Sequence, residues 1–156
     1  MPLSLVGQKV ELRSEVEIAA SAELVWDVLC DLRAYQEWNP FIVEASGQLG
    51  PGGIVETTIN LPGGQERRIR RRVVKFEPNV ELRWSSASIM RALTSSEQFF
   101  RLRCPESSHI RLTVGENFTG MLAPHSNAEL AQYSQALALM NQALKRRVEG
   151  ILQQRS

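Results

Sequence analysis

Between Phe41 and Phe118 the chain is a train of strand-like segments separated by breaks too short to hold anything but a turn. The clearest breaks are Gly50-Pro51-Gly52-Gly53, Pro62-Gly63-Gly64, Glu77-Pro78-Asn79 and Pro105-Glu106-Ser107-Ser108. These are the residue types that supply turn dihedrals. A parallel crossover needs about a dozen residues or more, so neighbours joined this way must run antiparallel. The segments 41–49, 54–61, 65–76, 80–86, 93–104 and 109–118 therefore predict a six-strand antiparallel meander.

Two further elements flank it. From Val10 to Ile18, Val10, Leu12, Ser14, Val16 and Ile18 alternate with Glu11, Arg13, Glu15 and Glu17, the period-two pattern of a half-buried strand. Ser21 offers a helix N-cap, and Leu24, Val25, Val28, Leu29 and Leu32 recur at helical spacing behind it. A short second helical turn, 33–37, runs into Trp38-Asn39-Pro40, where proline forces Asn39 out of helix. At the other end Ser126-Asn127-Ala128-Glu129 has capping-box spacing. Leu130, Tyr133, Leu137, Met140, Leu144, Val148 and Ile151 then form one apolar stripe on a helix of about seven turns.

The order predicts an α+β chain: a curved, seven-stranded antiparallel sheet wrapped around a long C-terminal helix, with two short helices between strands 1 and 2. Length suits one domain spanning 1–156. A formal charge of +1 argues against a dedicated nucleic-acid binder. No apolar run approaches the ~20 residues of a membrane span, and 1–13 lacks a secretion-signal layout, so the expectation is cytoplasmic. Cys30 and Cys104 belong to no paired motif and read as two small buried thiols. His109 and His125 have no partner at ligand spacing, so neither metal nor cofactor is expected. Nucleophile-elbow, Walker and Rossmann fingerprints are lacking.

Val25-Trp26, Asp31, Tyr35, Trp38-Asn39-Pro40-Phe41 and Gly52-Gly53 stand along the first half of the chain. Pro78, Leu82, Trp84, Phe100-Arg101-Leu102, Glu116-Asn117-Phe118-Thr119-Gly120, Asn141, Leu144-Lys145 and Glu149 continue the series. In the order and spacing of these residues the chain resembles, over about Val10 to Ile151, the START/Bet v 1-like (SRPBCC) superfamily in its bacterial polyketide cyclase/dehydrase-like branch. The resemblance implies a helix-grip fold that holds a hydrophobic ligand between sheet and C-terminal helix. It does not imply a reaction, since members include carriers, receptors, co-chaperones and cyclases.

Strand parity nominates the lining. Ile110, Leu112, Val114 and Phe118 share a face, and Glu116 falls in phase with them; Gln98, Phe100, Leu102 and Cys104 share another, as do Val80, Leu82 and Trp84. A carboxylate in phase with so many apolar residues is the candidate for a ligand hydrogen bond or proton transfer, against the plainer reading of a structural glutamate. In the run Arg67-Arg68-Ile69-Arg70-Arg71-Arg72, taking Val74 and Phe76 as inward places Arg70 and Arg72 on the cavity side. A solvated strand face is the alternative. Trp38 and Phe41 either line the cavity mouth or plug it, while Leu137, Met140 and Leu144 are core or cavity wall. Ile89, Met90, Met121 and Leu122, with Leu93, are apolar loop residues that suit a gate or a dimer contact.

The leading expectation is binding or transport of a lipid, isoprenoid or polyketide-like molecule by a monomer or homodimer. A cyclase or dehydratase using Glu116 in the same cavity is the rival, and a co-chaperone-like interaction module is a third.

Overall fold

The computed structural model describes residues 8–63, 65–86, 95–106, 108–120 and 127–155. Strand β1, Gln8–Ile18, leads into helix α1, Ala22–Cys30, a 3₁₀ turn at Leu32–Ala34 and helix α2, Tyr35–Trp38. Six strands follow: β2 Ile42–Gly47, β3 Ile54–Asn60, β4 Glu66–Glu77, β5 Glu81–Ser86, β6 Ser95–Glu106 and β7 His109–Gly120. Helix α3, Asn127–Arg155, closes the order. The sheet runs β1-β7-β6-β5-β4-β3-β2 with every pair antiparallel. The meander is thus as its turns dictate, and the first strand joins the last, Val10 opposite Phe118 and Ile18 opposite Ile110.

Local chemistry explains the elements. Ser21 Oγ accepts from the Leu24 amide at 3.2 Å and caps α1. Asn39 is extended, as its proline neighbour requires. Its Oδ1 accepts from both the Phe41 and Ile42 amides, at 2.9 and 2.8 Å, which turns the chain into β2. Helix α3 is fastened to β1 by backbone carbonyls at the strand: Asn141 Nδ2 donates to Ser14 O at 2.9 Å and Lys145 Nζ to Glu17 O at 2.6 Å. Tyr133, Leu137, Met140, Leu144 and Val148 bury the predicted stripe against the sheet's concave side. Ser126 and Leu93 lie outside the described residues.

Several expectations are corrected. Strand β4 carries a bulge: Val73 faces Trp84, but the next paired residue is Lys75, opposite Arg83. The extra residue reverses the phase. Val74 is 50% exposed, Val73 is buried, and Arg71 takes the inward position while Arg70 and Arg72 point outward. Cys104 is exposed rather than buried, because the β6–β7 register breaks between Arg103 and Glu106. Val80 also lies 40% exposed, in the β4–β5 turn ahead of Leu82. Cys30 is partly buried, and that burial, with Asp27 adding to it, pushes its thiol up to about 12.

The convex face has a small core of its own. Phe99 is 1% exposed beneath the guanidinium groups of Arg13, Arg83 and Arg101, 4.9–5.7 Å from its ring centroid. Gly115 stands opposite in β7, where a Cβ would lie 2.3 Å from that ring. Glu81 ties the cluster together by pairing Arg83 and Arg101, both at 3.0 Å.

Candidate functional site

Across the concave face the register aligns two adjacent rows. One holds Val73, Trp84, Gln98, Glu116 and Leu12; the other holds Val55, Arg71 and Ser86, continuing at Ser96, Phe118 and Val10. In the first row, Trp84 Nε1 donates to Gln98 Oε1 at 2.8 Å, and Gln98 Nε2 donates to Glu116 Oε1 at 3.2 Å. Ser96 stands close enough to Glu116 to pull its carboxyl downward. Ser96 Oγ in turn shares a hydrogen bond with Ser86 Oγ at 3.0 Å. Trp84, Gln98 and Glu116 are at most 1% exposed. This is a ladder of polar side chains inside an apolar wall of Phe100, Leu112 and Val114.

Burial raises the Glu116 carboxyl above the ordinary carboxylate range, and the opposing pull of Arg71, Gln98 and Ser96 does not cancel it. Arg71 is 0% exposed, and burial lowers its guanidinium, with Glu116 acting against that. None of its Nε, Nη1 and Nη2 atoms has a hydrogen-bond partner among the described residues. Tyr133, from α3, packs edge-on between Phe41 and Phe118, at 6.0 and 5.0 Å between centroids. Burial and the nearby Glu116 push its hydroxyl up to about 12.

A cleft of about 470 Å³ at the sheet rim lies on the other side of these strands: Glu11, Ser85, Glu97 and Asn117, with Lys9, Ser95 and Thr119, line it from the face that carries Phe99, and Val10 and Ser96 complete it. The cleft lies where β5 ends, β6 begins and β7 ends.

Of the residues nominated from sequence, Trp84, Gln98, Phe100, Leu112, Val114, Glu116 and Phe118 come together on the concave face, with Leu137, Met140 and Leu144 closing over it from α3. Phe41 is in the same core, against Tyr133. Trp38 is not brought there. It packs on Tyr35 at 5.2 Å and lines a separate cleft of about 150 Å³ with Leu24, Asp27, Val28 and Ile151. Arg70 faces outward to Glu56 at 3.6 Å, and Arg72 is exposed beside it. Ile89, Met90, Met121 and Leu122 lie outside the described residues. Sequence reasoning missed Arg71 and Ser96. Ile69 and Val73, both apolar and two residues to either side of Arg71, were the signal that placed it inward. Among the described residues no three His, Cys, Asp or Glu side chains gather to hold a metal.

Residues 9–149 match the family model described as polyketide cyclase / dehydrase and lipid transport. The chain belongs to this family. The match runs from the second residue of β1 through β7 and most of α3. Three solved structures share the fold. The Zhui aromatase/cyclase from Streptomyces sp. R1128 aligns with a TM-score of 0.73 at 15% identity, covering 91% of this chain and 94% of that one. A START superfamily protein from Mycobacterium smegmatis gives 0.73 at 21% identity, over 90% and 98%. The ginseng major latex-like protein 151 from Panax ginseng gives 0.72 at 8% identity, over 89% and 97%. No curated protein matches the sequence. Family members of this kind share a fold that binds hydrophobic ligands, and no helix among the described residues is long and apolar enough to cross a membrane.

Proposed function

We propose that this chain is one cytoplasmic ligand-binding domain that binds or carries a hydrophobic small molecule of lipid, isoprenoid or polyketide-like character between the concave sheet face and α3. The observation that carries the reading is the buried polar ladder Trp84–Gln98–Glu116 on the concave face, set among apolar side chains beneath α3. A core built for stability alone gains nothing from burying a carboxyl group there. A site that must orient an apolar ligand needs a few fixed polar groups among greasy walls, and Gln98 and Glu116 are held in place by their neighbours. Trp84, Phe100, Leu112, Val114, Phe118, Leu137, Met140 and Leu144 supply the apolar contact.

Native mass spectrometry of gently purified protein and titration with a fluorescent apolar probe test this. The reading expects a co-purifying lipid-like mass or saturable probe uptake; lack of both overturns it.

One observation favours a second reading, a cyclase or dehydratase. Burial holds the Glu116 carboxyl above its ordinary range, as a proton-transfer group near neutral pH requires. Turnover of any discovered substrate that survives Glu116→Gln unchanged would remove Glu116 from that role.

A further inference from the structure

The interior contains a cation that the polar ladder does not use. Arg71 projects from β4 into the concave side, its backbone between Val55 and Ser86, and it is wholly buried. The groups that face it electrostatically are Glu116 from β7 and Tyr133 from α3. Neither bonds to it. Gln98 Nε2 donates to Glu116 Oε1, and no carboxylate of the described residues forms an ion pair with Arg71. Five N–H donors in a rigid fork are thus aimed into the concave side of the sheet with no acceptor among the described residues.

An unpaired buried guanidinium is costly, and the convex face shows the usual remedy: the half-buried Arg83 and Arg101 both pair with the buried Glu81. On the concave side the acceptor must come from elsewhere. A guanidinium fork matches two oxygens lying in one plane. One unit of positive charge is balanced by one unit of negative charge, which fits a carboxylate; a phosphate monoester brings nearly two. A lone carbonyl or hydroxyl oxygen would leave most of the donors unmet.

We infer that Arg71 is the anchor for an acidic ligand: the molecule held between the sheet and α3 is an amphiphile whose carboxylate docks on the Arg71 guanidinium while its apolar body lies against Phe100, Val114 and Met140. This rests on the binding reading above and specifies the chemical class of the ligand.

The test uses the full chain with cis-parinaric acid and its methyl ester, which differ only in the charged head. Wild type binds the acid at least about tenfold more tightly than the ester, the gain expected of charge-assisted hydrogen bonds. Arg71→Met brings acid affinity down to that of the ester and leaves ester affinity within about twofold. Arg71→Lys keeps the charge but loses the fork, and falls between the two. Should Arg71→Met not fold, the wild-type and Arg71→Lys titrations still decide. Equal binding of acid and ester by wild type overturns the anchor and leaves the apolar-ligand reading standing; an undiminished preference in Arg71→Met also overturns it. Binding of neither probe overturns both.

Discussion

The indole N–H of Trp84 donates to the amide oxygen of Gln98 across 2.8 Å of buried interior, and that bond decides which way the amide faces. With its oxygen occupied, Gln98 must present its NH₂ to Glu116. The carboxyl group is therefore oriented from two strands away.

Gln98→Met tests that chain of command. It leaves the Trp84 N–H and one Glu116 oxygen without their partner, at a cost of about 2–4 kcal/mol by the usual penalty for unmet buried polar groups. Urea denaturation should show the loss. A Gln98→Met protein as stable as wild type would mean that the ladder is not structurally coupled.

Glu116 gives the stability a pH signature. Its folded-state carboxyl sits above the unfolded value, chiefly through burial. Such a group contributes fully below the unfolded value of about 4.3 and loses that contribution as pH rises through the folded one. Stability of wild type relative to Glu116→Gln should therefore fall as pH is raised from about 4.3. Glu81 is shifted the other way but is present in both proteins, so the comparison cancels it. A difference that stays flat or grows with pH contradicts the assignment.

Gly115 has no room for a methyl group, with the Phe99 ring at 2.3 Å and the Leu12 carbonyl at 2.9 Å from where its Cβ would stand. Gly115→Ala should cost about 1–3 kcal/mol through overpacking. Combining it with Phe99→Leu should cost less than the two separate changes added together. Simple additivity in thermal or chemical denaturation would show that the ring is not what Gly115 makes space for.

Asn39 accepts two backbone N–H bonds with one oxygen at the entry to β2. Asn39→Ala strands both amides in a buried turn and should cost about 2–4 kcal/mol. Asn39→Asp keeps the acceptor and should recover most of that loss. Equal damage from both substitutions would assign the effect to something other than the turn.

The turns between 41 and 118, the period-two strands and the apolar stripe from Tyr133 to Val148 are all local patterns. Each needs only residues a few positions apart, so the antiparallel meander, the long helix and the inward phase of Glu116 were determined by the sequence itself. Pairing of β1 with β7 links residues a hundred positions apart, and no spacing within either strand encodes it. The bulge after Val73 is likewise a bargain between β4 and its neighbour β5: one extra residue keeps Val73 on Trp84 and Phe76 on Leu82, and expels Val74. Strict alternation counted back from Phe76 therefore put Arg70 and Arg72 inside, whereas the tertiary structure turned Arg71 in. Ile69 and Val73 favour one phase and Val74 and Phe76 the other, so hydrogen bonding to the partner strand decided which arginine was buried.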